Sequence, residues 1–519
     1  MPLERVISTI KNSCYSVFNS SYGLALIFTL LFVGTRMPYL GPDSINPDAV
    51  NWHYRSEQFI VGLKHHQWER TYQHYHPGVT LMWIIGSVVE VARQINPALR
   101  IYTHENFLLL HTLSKYALVF VQLALSLFLM ALLGKVFSKT KAFLIVTFFS
   151  LEPFFIGNSR LLHLDVLLTL FLMIFLTMAF LSGSKEYPIK LRRKYLFFSG
   201  VFLGFSFLTK SISIGGLPFI FAFLFFTYKR DFKEILLQFI FFLLGFFGIV
   251  FIFFPATWVS PVQTLTRIFM EAERVGIRKG HDQIFFGSYT IDPGVAFYPV
   301  IFFLKTSPML LIGFFLFLKK VFKKTNSFVF LSATFYLGYM GAMTFSSKKI
   351  DRYIIPVFPL LAIFSLFGYE NVLPKKYQKP VFALYICLLL GFNFAFHPYQ
   401  FTYTTPLVGS AKNAHAIVAQ KPFGIGIPAL KEKILSNYGD YPKIGFYDIK
   451  PMGRIYPSSR IFDLREYGPS NYDIVVLGPN EEPPDYLEEV PSEFILDDIM
   501  VINGLDYWRI YVKKDFFAK

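Results

Sequence analysis

Between two apolar runs, residues 142–158 and 164–183, the chain reads Asn158-Ser159-Arg160-Leu161-Leu162-His163-Leu164-Asp165. Each run is long enough to cross ~30 Å of hydrocarbon as a helix. Almost no chain is left between them for a loop. Arg160, His163 and Asp165 are thereby set at a membrane rim, where ionisable groups are costly and mark function by default. An Arg160–Asp165 ion pair stapling the two helices is the plainer structural reading.

Apolar stretches of similar length recur near 21–36, 107–133, 195–210, 212–228, 235–256, 296–318, 327–346, 353–371 and 380–396, giving about eleven spans. Composition agrees: 54% of residues are hydrophobic and only 16% charged, against roughly 25% charged in soluble domains. The expected fold class is an all-α polytopic membrane bundle over residues 1–396, followed by a small α/β domain over 397–519. In the latter, Asp473–Gly478 has the pattern of a buried strand. Asn503-Gly504 places a tight turn between strand-like runs Phe494–Ile502 and Tyr507–Val512. Ala429–Asn437 reads as a helix.

The formal charge of +16 raises the question of nucleic acid, but the cations do not gather on one domain. They fall in clusters at 135–141, 185–194, 229–233, 319–324 and 375–379, with two apolar segments between neighbours. All five clusters then share one side, which the positive-inside rule makes the cytoplasm. The reading is a multi-pass protein of the cell membrane with no nucleic-acid partner, its N-terminus inside and its C-terminal domain outside. Arg5 and Lys11 precede the first apolar run without a cleavage site, as in an uncleaved first span. The stretch 78–92 would break the alternation if it crossed, so it is expected to lie at the outer surface. Cys14 and Cys387 both sit in or beside apolar segments and imply no disulfide framework.

Outer segments 37–106 and 257–295 are more polar than connectors need. Asp48 stands at the start of an amphipathic stretch, where a helix cap is the simpler role. Lys210 lies at an outer turn, and a lone Lys there can snorkel to water. Together with Lys348, Lys349 and Arg352 it opposes the positive-inside trend, which suits a phosphate partner. Two carboxylates beside a phosphate clamp suit glycosyl transfer from a lipid-phosphate sugar: one Asp takes the acceptor proton, and the cations stabilise the departing phosphate. His65, His66, His74 and His76 crowd the first loop, but their irregular spacing favours a surface helix over a metal site. His281, Asp282 and Asp292 fit either substrate contact or loop ordering. Glu152 lies inside a span, within reach of an outer cation.

These motifs carry a family resemblance. The chain resembles the integral-membrane glycosyltransferases of the GT-C fold, especially protein O-mannosyltransferases and aminoarabinose (lipid A) transferases. The resemblance rests on Pro47-Asp48-Ala49, His76-Pro77-Gly78, Ser159-Arg160…Asp165, Leu208-Thr209-Lys210, Lys348-Lys349-Ile350-Asp351-Arg352-Tyr353-Ile354-Ile355-Pro356 and Pro398-Tyr399…Pro406-Leu407-Val408-Gly409. The second acid that often follows the first is missing after Asp48, and Gly78 stands where a second Pro is usual. The resemblance implies Asp48 as catalytic base and Asp165 assisting, with His163 beside it. It implies Arg160, Lys210, Lys348, Lys349, Arg352, Tyr353 and His76 on the substrate. The donor would be a polyprenyl-phosphate monosaccharide, the acceptor a protein, lipid or glycan. Some members of the fold class use a divalent metal; without a tight acid cluster around Asp48, a metal-independent site with no cofactor is expected. A transporter or flippase of lipid-linked sugars, which would want polar residues at mid-membrane, broken helices and inverted repeats, and an inactive scaffold are the competing readings.

Overall fold

The computed structural model describes residues 20–228, 231–320, 326–488 and 492–516. Arg5, Lys11, Cys14, Lys229, Arg230, Lys323 and Lys324 lie outside the described residues. The helices that matter for the site are α1 (Ser21–Arg36), α2 (Pro47–Lys64), α3 (Val79–Ile95), α4 (His104–Val136), α5 (Lys139–Leu151), α6 (Pro153–Arg160), α7 (Asp165–Gly183), α8 (Ile189–Thr209), α9 (Gly216–Thr227), α10 (Phe232–Phe253), α11 (Pro261–Glu271), α12 (Phe297–Lys305), α13 (Pro308–Lys320), α14 (Ser327–Phe345), α15 (Phe358–Val372), α16 (Lys375–Ala395) and α17 (Ile427–Tyr438).

Each of the expected spans coincides with a helix or a broken pair of helices. Among the described residues, six segments are long and apolar enough to cross a membrane: α4, α7, α10, α14, Asp351–Val372 and α16. The bent pair α5–α6 makes a seventh if it counts as one span, and α1, Ser211–Thr227 and Pro308–Lys319 are shorter apolar helices. The remaining one, α8, opens with Lys190, Arg192, Arg193 and Lys194, which lower its apolar character at one end. α7 runs buried along nearly its whole length at the centre of the bundle. Close packing beside it depends on small residues: a Cβ at Gly200 of α8 would lie 2.0 Å from the Phe242 carbonyl oxygen of α10.

Two spans are broken, which the sequence reading did not anticipate. α5 and α6 meet at a 70° bend, where Glu152 precedes Pro153, a residue without an N–H to continue the ladder. α12 and α13 part at Thr306-Ser307. The breaks satisfy one another: the Glu152 carboxylate accepts from the Ser307 N–H (2.9 Å) and the Ser307 hydroxyl (2.6 Å). This corrects the expectation that Glu152 reaches an outer cation. Its charge caps the N-terminus of α13, where anions are favoured.

Within the 257–295 loop, β1 (Gln283–Phe285) and β2 (Ser288–Thr290) pair antiparallel. The C-terminal region forms a five-stranded sheet in the order β4-β3-β5-β7-β6, with β3 (Ile444–Phe446), β4 (Ile461–Asp463), β5 (Ile474–Leu477), β6 (Phe494–Ile502) and β7 (Leu505–Lys513). β4, β3 and β5 are parallel, while β5, β7 and β6 are antiparallel. Strands β5, β6 and β7 and helix α17 fall where the sequence placed them. Asn503 (φ 50°) and Gly504 (φ 80°) both take the left-handed conformation that a type I′ hairpin needs. The sheet shares one buried core with the helices: Ile425, Phe446 and Trp508 belong to the same cluster as Phe154 and Phe358.

A buried ion network ties the loop between α1 and α2 to the bundle. The Asp43 carboxylate meets Lys115 Nζ of α4 at 2.6 Å and Arg160 Nε of α6 at 3.0 Å. Arg160 also donates to the carbonyls of Arg36 (2.8 Å), Pro38 (3.0 Å) and Tyr39 (3.2 Å). On its other side the loop adopts strand-like pairing with residues 424–426, through Ile45 N–H to Gly424 O and Gly426 N–H to Asp43 O. Replacing Asp43 with Asn leaves two buried cations without a counter-charge, and one unpaired partner costs about 3–5 kcal/mol. Unfolding followed in detergent should show that loss for Asp43→Asn. Lys115→Met, which leaves the Asp43–Arg160 pair intact, should lose less; equal losses would mean that the loop is not held electrostatically.

Candidate active site

Pro47 opens α2 and places Asp48 in its first turn. Asp165 opens α7. The four residues between α6 and α7 bring His163 between the two acids. The His163 Nε2–H donates to Asp48 Oδ2 at 3.1 Å, since a carboxylate there only accepts. Nδ1 lies 2.9 Å from Asp165 Oδ2 but off the hydrogen-bond line. Arg352 completes the bridge, with NH2 3.0 Å from Asp48 Oδ2 and Nε 3.3 Å from Asp165 Oδ2. Lys210 Nζ reaches Asp165 Oδ1 at 2.7 Å and stands 4.0 Å from the Tyr353 ring centroid.

Asp48, His163, Asp165, Lys210, Arg352 and Tyr353 thus converge from α2, the α6–α7 turn, the end of α8 and the segment before α15. Lys348 joins this group electrostatically. Burial, with the Lys210 and Arg352 charges next in weight, lowers its ammonium from the usual range, and it has no ion-pair partner among the described residues. Three cations therefore face two carboxylates, leaving one positive charge unmatched. Burial alone would raise the Asp48 carboxyl, but the His163 hydrogen bond and the Arg352 charge outweigh it and hold Asp48 well below the usual carboxylate range.

Three expected residues stand otherwise. Arg160 is not paired with Asp165 and does not reach the acids; its donors are engaged by Asp43 and the loop carbonyls. The chain turns between positions 160 and 165, so the two charges serve different sites. Lys349 is buried and binds Asp292 Oδ1 (2.7 Å) and the Ser346 carbonyl (2.8 Å). Neighbours in extended chain point to opposite sides, so Lys349 orders the 257–295 loop while Lys348 faces the acids. Asp292 accordingly serves loop ordering. His76 reaches the site's edge, 3.5 Å from the Ser211 hydroxyl, and burial is the first cause that keeps its ring well below the ordinary imidazole range.

The His-Pro-Gly corner docks on the Leu-Thr-Lys turn. Gly78 N–H donates to the Thr209 carbonyl (3.2 Å), and the Thr80 and Thr209 hydroxyls pair at 2.8 Å. Gly78 has φ +60°, and a Cβ there would lie 2.2 Å from the Trp52 ring. Proline, locked near φ −65°, is incompatible with this corner. His74 Nδ1 accepts from the His76 N–H, and His65 and His66 are exposed. Among the described residues no group of three or more His, Cys, Asp or Glu is placed to hold a metal.

Sequence reasoning missed Asp43, Lys115, Arg55 and Phe423. Arg55, two turns beyond Asp48 on the same face of α2, lies over the Trp52 ring at 4.7 Å; helical spacing was its signal. Lys115 inside an apolar run, one turn after His111, was a readable sign of a buried partner. Phe423 left no local signal. Its ring lies 4.5 Å from the Arg352 guanidinium, and its φ of +44° is a strained conformation of the kind that gathers at functional sites.

An apolar cavity of about 390 Å³ opens beside Lys210 and Tyr353, walled by Ile212, Phe269, Ile277 and Met343.

With this geometry in view, the chain superposes on the crystal structure of ArnT from Cupriavidus metallidurans bound to undecaprenyl phosphate. The TM-score is 0.52 at 12% identity, covering 94% of this chain and 97% of that one. The chain has the GT-C fold. The apo form of the same ArnT gives 0.51 at 14% identity, with 97% and 98% covered. A model of the dolichyl-phosphate-mannose-protein mannosyltransferase family matches residues 104–258, from the start of α4 to just beyond α10. The resemblance read from the motifs is borne out at the level of this fold and of that shared segment. No curated protein gives a significant match to the sequence.

The depressed Asp48 carboxyl fixes a pH dependence. A group whose folded pKa lies below its unfolded value adds stability above the unfolded value, near 3.9, and loses it as pH falls through the folded one. The stability difference between wild type and Asp48→Asn should therefore be largest above about pH 4 and shrink in more acid solution. A difference constant across that range would show that Asp48 is not held low by His163 and Arg352.

Proposed function

We propose that the chain is a glycosyltransferase that moves a monosaccharide from a polyprenyl-phosphate donor to an acceptor hydroxyl on the outer face of the membrane. The observation that carries this is the pairing of two carboxylates with three cations next to an apolar cavity that Lys210 and Tyr353 line. An isoprenoid tail suits Ile212, Phe269, Ile277 and Met343. A phosphate suits Lys210, Lys348 and Arg352, whose charge exceeds that of the acids. The undecaprenyl phosphate held by the Cupriavidus ArnT supports the same ligand class.

Arg352 is shared between Asp48 and Asp165, and its charge, after the His163 hydrogen bond, suppresses the proton affinity of Asp48. A donor phosphate competes for Arg352. As that charge turns to the phosphate, Asp48 becomes the stronger base that proton abstraction needs. The acceptor O–H proton passes to Asp48 while the acceptor oxygen bonds the anomeric carbon. The bond from that carbon to the phosphate oxygen breaks, and its electron pair leaves with the polyprenyl phosphate. Lys210, Lys348 and Arg352 stabilise the charge that develops there. Asp165 holds Lys210 and Arg352 in position, and His163 orients Asp48. Arg352 and His163 already bridge the two acids, so the proposed reaction needs no metal.

The test is label transfer by purified protein from a radiolabelled polyprenyl-phosphate sugar to a crude acceptor extract, with and without a chelator. Asp48→Asn should reduce transfer by about 10²–10⁴-fold, and the chelator should leave wild type unchanged. Equal labelling by Asp48→Asn and wild type would remove Asp48 as the base and leave Asp165. Donor binding without transfer to any acceptor would favour the transport or scaffold reading.

A further inference from the structure

A second cavity, of about 370 Å³, lies between α2, α3, the first turn of α4 and the C-terminal domain. At 100° per residue, Glu57 and Lys64 project from α2 about 160–180° away from Asp48, so the two sites occupy opposite faces of one helix. Cations dominate the lining. Lys64 pairs with Glu90, and Arg93 with Glu57 at 2.9 Å. Arg100 and Arg454 have no ion-pair partner among the described residues. Arg93 keeps its Nε buried without a hydrogen-bond acceptor. Four cations thus face two carboxylates.

The positive charge is built in rather than scattered. The Arg454 guanidinium lies 6.0 Å from the Tyr102 ring centroid and 5.9 Å from that of Phe107. Its backbone carbonyl is held by the Tyr102 hydroxyl (3.2 Å) and His104 Nδ1 (3.0 Å). On the floor, His53 Nε2 contacts His111 Nδ1 at 3.2 Å, and His111 Nε2 donates to the Ser44 carbonyl. Burial first, then the Arg454 and Arg93 charges, lowers the His53 ring to about 4, so it adds no charge but offers polar atoms.

The place of the cavity limits its ligand. α4 is one of the membrane-length helices, and the cavity sits at its N-terminal end, beyond the apolar run that begins near Phe107. Its rim is apolar and open at Ile101, which is 68% exposed, and Ile95, 81% exposed, ends α3 two residues beyond the lining Arg93. Cations in a pocket with apolar side chains at its lip match a molecule that is anionic at one end and oily at the other.

We propose that this cavity binds the phosphate-bearing anionic headgroup of a membrane lipid, apart from the Asp48–Asp165 site. Arg100 and Arg454 take the phosphate, Tyr102 flanks it, and the acyl chains run past Ile95 and Ile101.

The experiment is native mass spectrometry of the purified full chain in detergent, titrated with phosphatidylglycerol or phosphatidylcholine. Wild type should retain phosphatidylglycerol in preference. Each guanidinium removed should weaken that binding roughly fivefold, so Arg100→Gln with Arg454→Gln should abolish the preference. Arg100→Lys with Arg454→Lys should keep most of it, and Lys319→Gln, at the far end of the bundle, all of it. Equal retention of the two lipids by wild type would overturn the proposal, and so would an unchanged preference in the double Gln variant. Displacement of phosphatidylglycerol by an equal concentration of inorganic phosphate would overturn the assignment to a lipid in favour of a soluble phosphate ligand.

Discussion

One buried carboxylate, Asp43, carries the charge of both Lys115 and Arg160, and the loop between α1 and α2 hangs from it. In a medium of low dielectric such a group is stable only if every charge is matched or hydrogen-bonded. Arg160 meets that demand by donating to three loop carbonyls as well as to Asp43. The loop is therefore fixed as backbone, five residues before Asp48. What looks like a long surface excursion is a rigid bracket, and the position of the candidate base is inherited from an ion network that never touches it.

The candidate site itself is self-satisfied but not neutral. His163 and Arg352 cross-link the two acids, Lys210 holds Asp165, and Lys348 is left over. The His163 hydrogen bond and then the Arg352 charge hold Asp48 ionised and weakly basic. In the proposed reaction, donor binding and base strength would be coupled through the Arg352 guanidinium.

The sequence made the fold legible because hydrocarbon length and the sidedness of Lys and Arg are strong, local signals. Helix ends, the Asn503-Gly504 turn and the buried strand β5 followed from equally local chemistry. The ion partners did not. Arg160 and Asp165 are five positions apart and face different partners, because the short turn between α6 and α7 reverses the direction of the side chains. Asp43 lies in a loop with no periodicity, and nothing near it announces a contact 72 residues away with Lys115 or 117 residues away with Arg160. The two broken helices were invisible for a similar reason: Glu152 and Ser307 make sense only as a pair, and they stand 155 residues apart. Pro153 and Pro308 were the local traces, each consistent with an unbroken run that simply contains a proline.

The stretch from Phe423 to Gly426 does three things within four residues. Phe423 presses its ring against Arg352, Gly424 lies so close to Ile45 that a Cβ would come within 1.9 Å of its carbonyl oxygen, and Ile425 accepts the Trp508 indole N–H from the sheet. The C-terminal domain is consequently no detachable module. A recombination junction placed after the last helix would sever Arg352 from its aromatic support and the loop from its bracket. Because Trp508 of β7 is bonded to Ile425 and shares the core of the helices, the sheet, the join near residue 423 and the membrane bundle make one folding unit.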